Sequence, residues 1–93
     1  MDLKDIRCKI TEIDLQIIDL LSKRMSLAPT LVMCKKKHNI AIFQPEREKQ
    51  IHSRYWKSAV GKKINPELVR KIFELIITEM RNLQYEVMRN ERS

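Results

Sequence analysis

Apolar residues recur at spacings of three and four from Leu3 through Ile6, Ile10, Ile13, Ile17, Leu20, Leu21, Leu27 and Leu31 to Val32. Thr11, Asp14, Gln16, Asp19, Ser22 and Lys23 fill much of the opposite side, which is the pattern of a helix with one apolar stripe. Run unbroken from Asp2 to His38, such a helix of roughly 36 residues would be about 54 Å long at 1.5 Å per residue. The rest of a 93-residue chain is too short to cover a stripe of that length. The spacing therefore predicts an intimate helical dimer in which the stripe is buried against its own copy. Pro29 interrupts the pattern, removing one backbone hydrogen bond and crowding the preceding turn at about 3 kcal/mol in a helix interior. It either kinks one helix or separates two.

The remainder also reads as helix. The stretch HNIAIFQ, residues 38–44, loses the period and reads as a loop. A second, shorter helix from Pro45 to about Val60 places Ile51, Tyr55 and Ala59 on one stripe, and Gly61, Lys62 and Lys63 form a turn. Gln44 precedes it as a poor N-cap, and Pro45 suits a first helical position, where its missing N–H has no partner to lose. Asn65, Pro66 and Glu67 then give an N-cap, a first-position proline and a first-turn acid. They open a third helix to about Met88 with Val69, Ile72, Phe73, Ile76, Ile77, Met80, Leu83 and Val87 on its apolar face, and residues 89–93 are expected to fray. The fold class is all-α, one domain over residues 1–93, in the order long helix, short helix, long helix, as an entwined homodimer.

Composition narrows the function classes. With 5% aromatics and a single glycine, Gly61, the chain has the make-up of long helices rather than sheets. Cys8 and Cys34 form neither a CxxC nor a His-flanked cluster, so neither a zinc site nor a disulfide framework is expected, and both thiols are read as reduced and inert. No apolar run approaches the ~20 residues that span a bilayer. The protein is therefore expected to be cytoplasmic, with no membrane partner. A net charge of +7 fits nucleic acid, an anionic small ligand, or plain solubility.

The choice turns on where the cations converge. Arg24 and Lys35, eleven apart, return to within about 20° of each other on a helix, some 16 Å along its axis. Ala28 and Leu31 lie between them. Two cations among small and apolar residues on a partly buried face are costly unless an anion joins them. Arg7 lies about 100° around from Arg24 and too far along to reach the same ligand. If it takes part, it comes from a second chain. Gln84 follows Met80 and Ile77 at spacings of four and three, so it points into the packed face as either a satisfied structural group or a ligand contact. Arg47 in the first turn of the second helix sits at the positive end of the dipole, where a cation is misplaced unless it has a partner. Lys36, Lys37, Lys62, Lys63, Arg89 and Arg92 read as solvated charges.

Taken together, Arg7, Ile10, Asp14, the run LLSKR ending at Arg24, Leu27, Lys35, PERE with Arg47 and Glu48, and then Phe73, Ile76, Ile77 and Gln84 resemble the all-helical chorismate mutases. The resemblance covers nearly the whole chain. It implies an entwined homodimer with two shared sites and a cofactor-free, metal-free isomerisation of chorismate to prephenate in aromatic amino acid biosynthesis, on the shikimate pathway. By the same resemblance Arg7 of one subunit, with Arg24 and Arg47 of the other, clamps the two substrate carboxylates. Lys35 and Gln84 donate to the ether oxygen, Glu48 accepts from the ring hydroxyl, and Leu31, Ile51 and Ile77 form an apolar wall. Gln44 stands where the family commonly has an acid. Met80 stands where a small hydroxyl residue can assist a carboxylate, and Arg81 replaces an apolar neighbour of the site, either adding charge there or facing water.

Two rival readings have distinct footprints. A related lyase of the same family removes pyruvate from isochorismate, but Glu48 fits the mutase pattern better. A basic helical nucleic-acid binder would show a phosphate-tracking stripe and a stacking platform, whereas the lysines here are scattered and Tyr55 and Trp56 are the only adjacent aromatics.

Overall fold

A computed structural model describes residues 1–92, with Arg92 described by its backbone alone. Four helices follow one another: α1 (Leu3–Met25), α2 (Ala28–Lys37), α3 (Pro45–Gly61) and α4 (Pro66–Arg92). The described residues contain no strand, as the all-α reading requires.

The first long segment is thus two helices. Pro29 occupies the first turn of α2 rather than the middle of a longer helix, and the break falls just upstream of it. Ser26 and Leu27 keep right-handed helical backbone angles, with the Ser26 N–H donating to Ser22 O at 2.9 Å and the Leu31 N–H to Leu27 O at 2.9 Å. The ladder is interrupted without reversing the chain. Residues 3–37 laid end to end span about 52 Å at the helical rise, close to the 55 Å long dimension of the molecule.

At its start α1 is capped reciprocally. The Asp2 carboxylate accepts from the Asp5 N–H at 2.9 Å, and the Asp5 carboxylate accepts from the Asp2 N–H at 3.4 Å, satisfying two otherwise free donors. Beyond the caps α1 buries nothing. Leu3, Ile6, Ile10, Ile13, Leu15, Ile17, Ile18 and Leu20 are between 43% and 64% exposed. α4 packs along α3 and α2, and α1 has no comparable contact. The core is accordingly small, with Ala28 and Val32 from α2, Ala59 from α3, and Ile77 and Met80 from α4. Tyr55 meets Phe73 edge to face at 4.7 Å beside them. Ile72, assigned above to the apolar face of α4, is 43% exposed.

Two helix ends position the connections. After α2, Asn39 takes a left-handed conformation (φ 55°), and the Ile40 N–H reaches back to Lys35 O at 2.8 Å. The same stop follows α3 at Lys63 (φ 58°), with the Ile64 N–H donating to Ala59 O at 3.0 Å. Asparagine adopts that conformation at lower cost than lysine. Gly61, the expected turn residue, is instead the last residue of α3 and has no positive φ. The Asn65 side chain caps α4 as read, its Oδ1 accepting from the Glu67 N–H at 3.0 Å. Within the tail expected to fray, α4 runs helical to Arg92, and Lys36 on α2 pairs with Glu91 in that last turn. Ser93 lies outside the described residues.

These backbone assignments fix the sign of two substitutions. Gly61→Ala meets open space around the new Cβ and should raise stability by about 0.5–1 kcal/mol, because helical glycine is the more costly residue. Lys63→Gly should also stabilise, by roughly 0.5–1 kcal/mol, by relieving the left-handed strain. A denaturant midpoint lowered by Gly61→Ala would show that the left-handed residue is misplaced.

Candidate active site

A cleft of about 270 Å³ opens where the four helices approach one another. Arg24, in the last turn of α1, and Leu31 and Lys35, on α2, form one side. The start of α3 supplies Arg47, Glu48 and Ile51, with Gln44 at its cap, and α4 supplies Ile77, Met80 and Gln84. Every residue assigned to the site from the sequence is therefore brought to this cleft except Arg7. Arg7 lies instead along α1, beside a larger hollow of about 670 Å³ with Leu3, Cys8 and Thr11. That hollow is open to solvent along much of its rim and is lined by α1 alone, with Lys4 and Glu12 beside Arg7. The cleft with the chemistry is the smaller one.

Its centre is a fixed ammonium. Lys35 Nζ donates to the Ile42 carbonyl at 2.9 Å and to Gln84 Oε1 at 2.8 Å, joining α2, the loop after it and α4. An ammonium has three donors and no acceptor, so only the oxygen end of the Gln84 amide can face it. The Gln84 Nε2 end then donates to Met80 O at 3.2 Å, and Gln84 is 4% exposed. Lys35 and Gln84 are thus each held in place by two protein contacts, and each keeps one N–H unspent. Of the two readings of Gln84, the satisfied buried group is the one seen, and the side chain also lines the cleft.

Charge in the cleft is unbalanced towards positive. Among the described residues the guanidinium groups of Arg24 and Arg47 have no ion-pair partner. Glu48 does have one, and sequence reasoning missed it. Arg81 Nη2 donates to Glu48 Oε1 at 2.9 Å and Nε to Oε2 at 3.2 Å, while the guanidinium lies 4.6 Å over the Phe43 ring. Of the two placements considered for Arg81, added charge is the one found. The signal was present in the spacing, since Arg81 follows Ile77 by four and precedes Gln84 by three, on the stripe already read as inward-facing. Ile42 and Tyr55 also line the cleft without having been singled out for it. Gln44 makes no side-chain cap bond, consistent with its reading as a weak cap; only its carbonyl is engaged, by the Glu48 N–H at 3.0 Å.

Cys8 and Cys34 are free thiols, both exposed rather than packed. No group of three or more His, Cys, Asp or Glu side chains suited to a metal ion occurs among the described residues, and none of their helices is long and apolar enough to cross a membrane.

This arrangement agrees with what the sequence is related to. The family model described as chorismate mutase type II matches residues 6–85, and the chain belongs to that family of isomerases. It is 36% identical over 86 residues to a chorismate mutase of Methanocaldococcus jannaschii, covering 92% of this chain and 87% of that one. It is 26% identical over 81 residues to a 4-amino-4-deoxychorismate mutase of Streptomyces pristinaespiralis, covering 87% of this chain and 63% of that one. A bifunctional chorismate mutase/prephenate dehydratase of Buchnera aphidicola subsp. Schizaphis graminum is 33% identical over 78 residues, which are 84% of this chain and 20% of the larger protein. Neither the lyase nor the nucleic-acid reading is favoured by these relatives.

The environment of Lys35 gives a measurable consequence. Burial lowers its pKa from 10.5, and the Glu48 carboxylate partly offsets this. A lysine that releases its proton more readily folded than unfolded gains stability as pH rises through the window just below 10.5, and is the bridging ammonium below it. Nζ-detected NMR should place its midpoint below the ordinary lysine value. Glu48→Gln should move the midpoint further down by removing the offsetting charge. An upward movement would contradict the electrostatic picture.

Proposed function

We propose that this cleft isomerises chorismate to prephenate, in aromatic amino acid biosynthesis, and that two copies of the chain complete each other's sites as an entwined homodimer. Chorismate is a dianion whose 3,3-sigmatropic shift breaks one C–O bond as one C–C bond forms, with no intermediate bound to the protein. Negative charge grows on the ether oxygen in the transition state. Catalysis then consists of holding the compact conformer and presenting fixed donors to that oxygen.

The observation that carries the reading is the Lys35–Gln84 pair, fixed at 2.8 Å with an unspent N–H on each partner. Donors already held in place need no reorganisation as charge develops, and in a site shielded from water they act more strongly. Arg24 and Arg47, free of carboxylate partners, take the substrate carboxylates through planar paired donors. Arg7 of a second copy joins them. Ile51, Ile77 and the buried Met80 face the apolar edge of the substrate, with Gln44 at the rim, and Glu48 accepts from the ring hydroxyl. The uncovered stripe of α1 supports the pairing of chains. Covering eight half-exposed apolar side chains is worth on the order of 10 kcal/mol, comparable to the whole stability of a small domain. The Streptomyces pristinaespiralis relative is named for a substrate with an amine at the position of that hydroxyl, so the group opposite Glu48 is where substrate choice is made.

Lys35→Ala should lower kcat by about 100- to 1000-fold with helicity retained, since it removes a donor used mainly in the transition state; an unchanged kcat in a folded variant would refute the role. Arg7→Ala and Arg24→Ala should each be nearly inactive. Unfolded and refolded together, about half the dimers are mixed, and each mixed dimer carries one intact site, so activity should return to about a quarter of the parent's. No recovery in mixed dimers confirmed by mass would refute the shared site.

A further inference from the structure

We propose that Arg81 sets the substrate preference of this cleft, admitting a ring that presents a neutral hydroxyl to Glu48 and rejecting one that presents a protonated amine there. The inference rests on the mutase reading above and concerns the choice between two substrates of one reaction. Arg81 is a specificity residue that acts through the carboxylate it holds.

The geometry leaves Glu48 open to a hydroxyl. Arg81 spends one donor on each carboxylate oxygen, at 2.9 and 3.2 Å. A carboxylate has about four lone-pair sites, so each oxygen keeps one for a further donor. A substrate hydroxyl can therefore bind Glu48 without displacing Arg81. The pair is also well placed to persist: the two side chains are only 27% and 21% exposed, and Phe43 supports the guanidinium from its other face at 4.6 Å.

The charge balance is closed to an amine. An ammonium at the same place would gain attraction from Glu48 and meet repulsion from a guanidinium one hydrogen bond further on. With the guanidinium roughly twice as far away as the carboxylate, its repulsion offsets about half of that attraction. The ammonium would still lose its hydration, a cost that a neutral hydroxyl largely escapes. Lys35 lines the same cleft and adds to the repulsion, whereas Arg24 and Arg47 are taken up by the two carboxylates that either substrate carries. Relief by deprotonation is not open to Arg81, because arginine stays charged in proteins. Without Arg81, Glu48 would be a bare carboxylate suited to pairing with a cation.

A purely structural role, stapling α3 to α4, would affect both substrates alike. The test is therefore the ratio of kcat/KM for 4-amino-4-deoxychorismate to kcat/KM for chorismate, measured at pH 7 on the full chain. Both values come from one preparation, so any loss of folded protein cancels. Arg81→Met, which keeps an apolar stem against Phe43, should raise the ratio about tenfold or more, and Arg81→Lys, which keeps the charge, should leave it within about threefold of the parent. A ratio unmoved by Arg81→Met, or moved equally by Arg81→Lys, would overturn the proposal while leaving the mutase reading intact, and so would a parent that prefers the amine. A parent that rearranges neither compound would refute the mutase reading and this inference with it.

Discussion

A helix of 23 residues that buries none of its side chains is the constraint on which the rest of this structure depends. In a protein an amphipathic helix draws most of its stability from packing its apolar face rather than from propensity. In α1 that face, from Leu3 to Leu20, stands half exposed. α2, α3 and α4 form a small core of their own through Val32, Ala59, Ile77 and Met80. On the shared-site reading the same surface does two jobs: covering it supplies the missing stability, and the copy that covers it brings Arg7 to a cleft that its own chain cannot reach.

Within the cleft, fixation comes from the protein's own hydrogen bonds. Lys35 holds the loop at Ile42 and the amide of Gln84 together, and the left-handed stop at Asn39 ties the following Ile40 back to the carbonyl of Lys35 itself. The backbone and side chain of one residue thus both help set the loop that leads to Arg47 and Glu48. Rigid placement of donors is what a reaction without covalent chemistry requires. On the proposed reading, Arg24 and Arg47, without ion-pair partners among the described residues, supply the excess positive charge that a dianion needs.

Most of this was legible in the sequence, for physical reasons that differ by element. The period of three and four marked the apolar face of each helix, and Asn65, Pro66 and Glu67 marked the start of α4 because each has a defined job there. Arg24 and Lys35 could be placed together by helical rotation, and they share the cleft despite the break between them. Local pattern failed where tertiary packing or backbone strain decides. The break falls at Ser26 and Leu27, ahead of the proline that causes it, because Pro29 is accommodated in the first turn of the next helix. The left-handed residue after α3 is Lys63 although a glycine stands two positions earlier. The Glu48–Arg81 pair joins residues 33 apart on different helices, and only the docking of α4 on α3 brings them together.

The central claim is that the cleft works only when a second chain covers α1. Ile13, half exposed on that stripe and outside the cleft lining, offers the direct test. Ile13→Glu weakens pairing without touching a site residue. Rearrangement rate per chain and sedimentation mass should be measured on the same samples across a dilution series. The account predicts that the rate falls in step with the two-chain fraction and vanishes in folded single chains. Folded single chains that turn over chorismate at the parent's rate would contradict it.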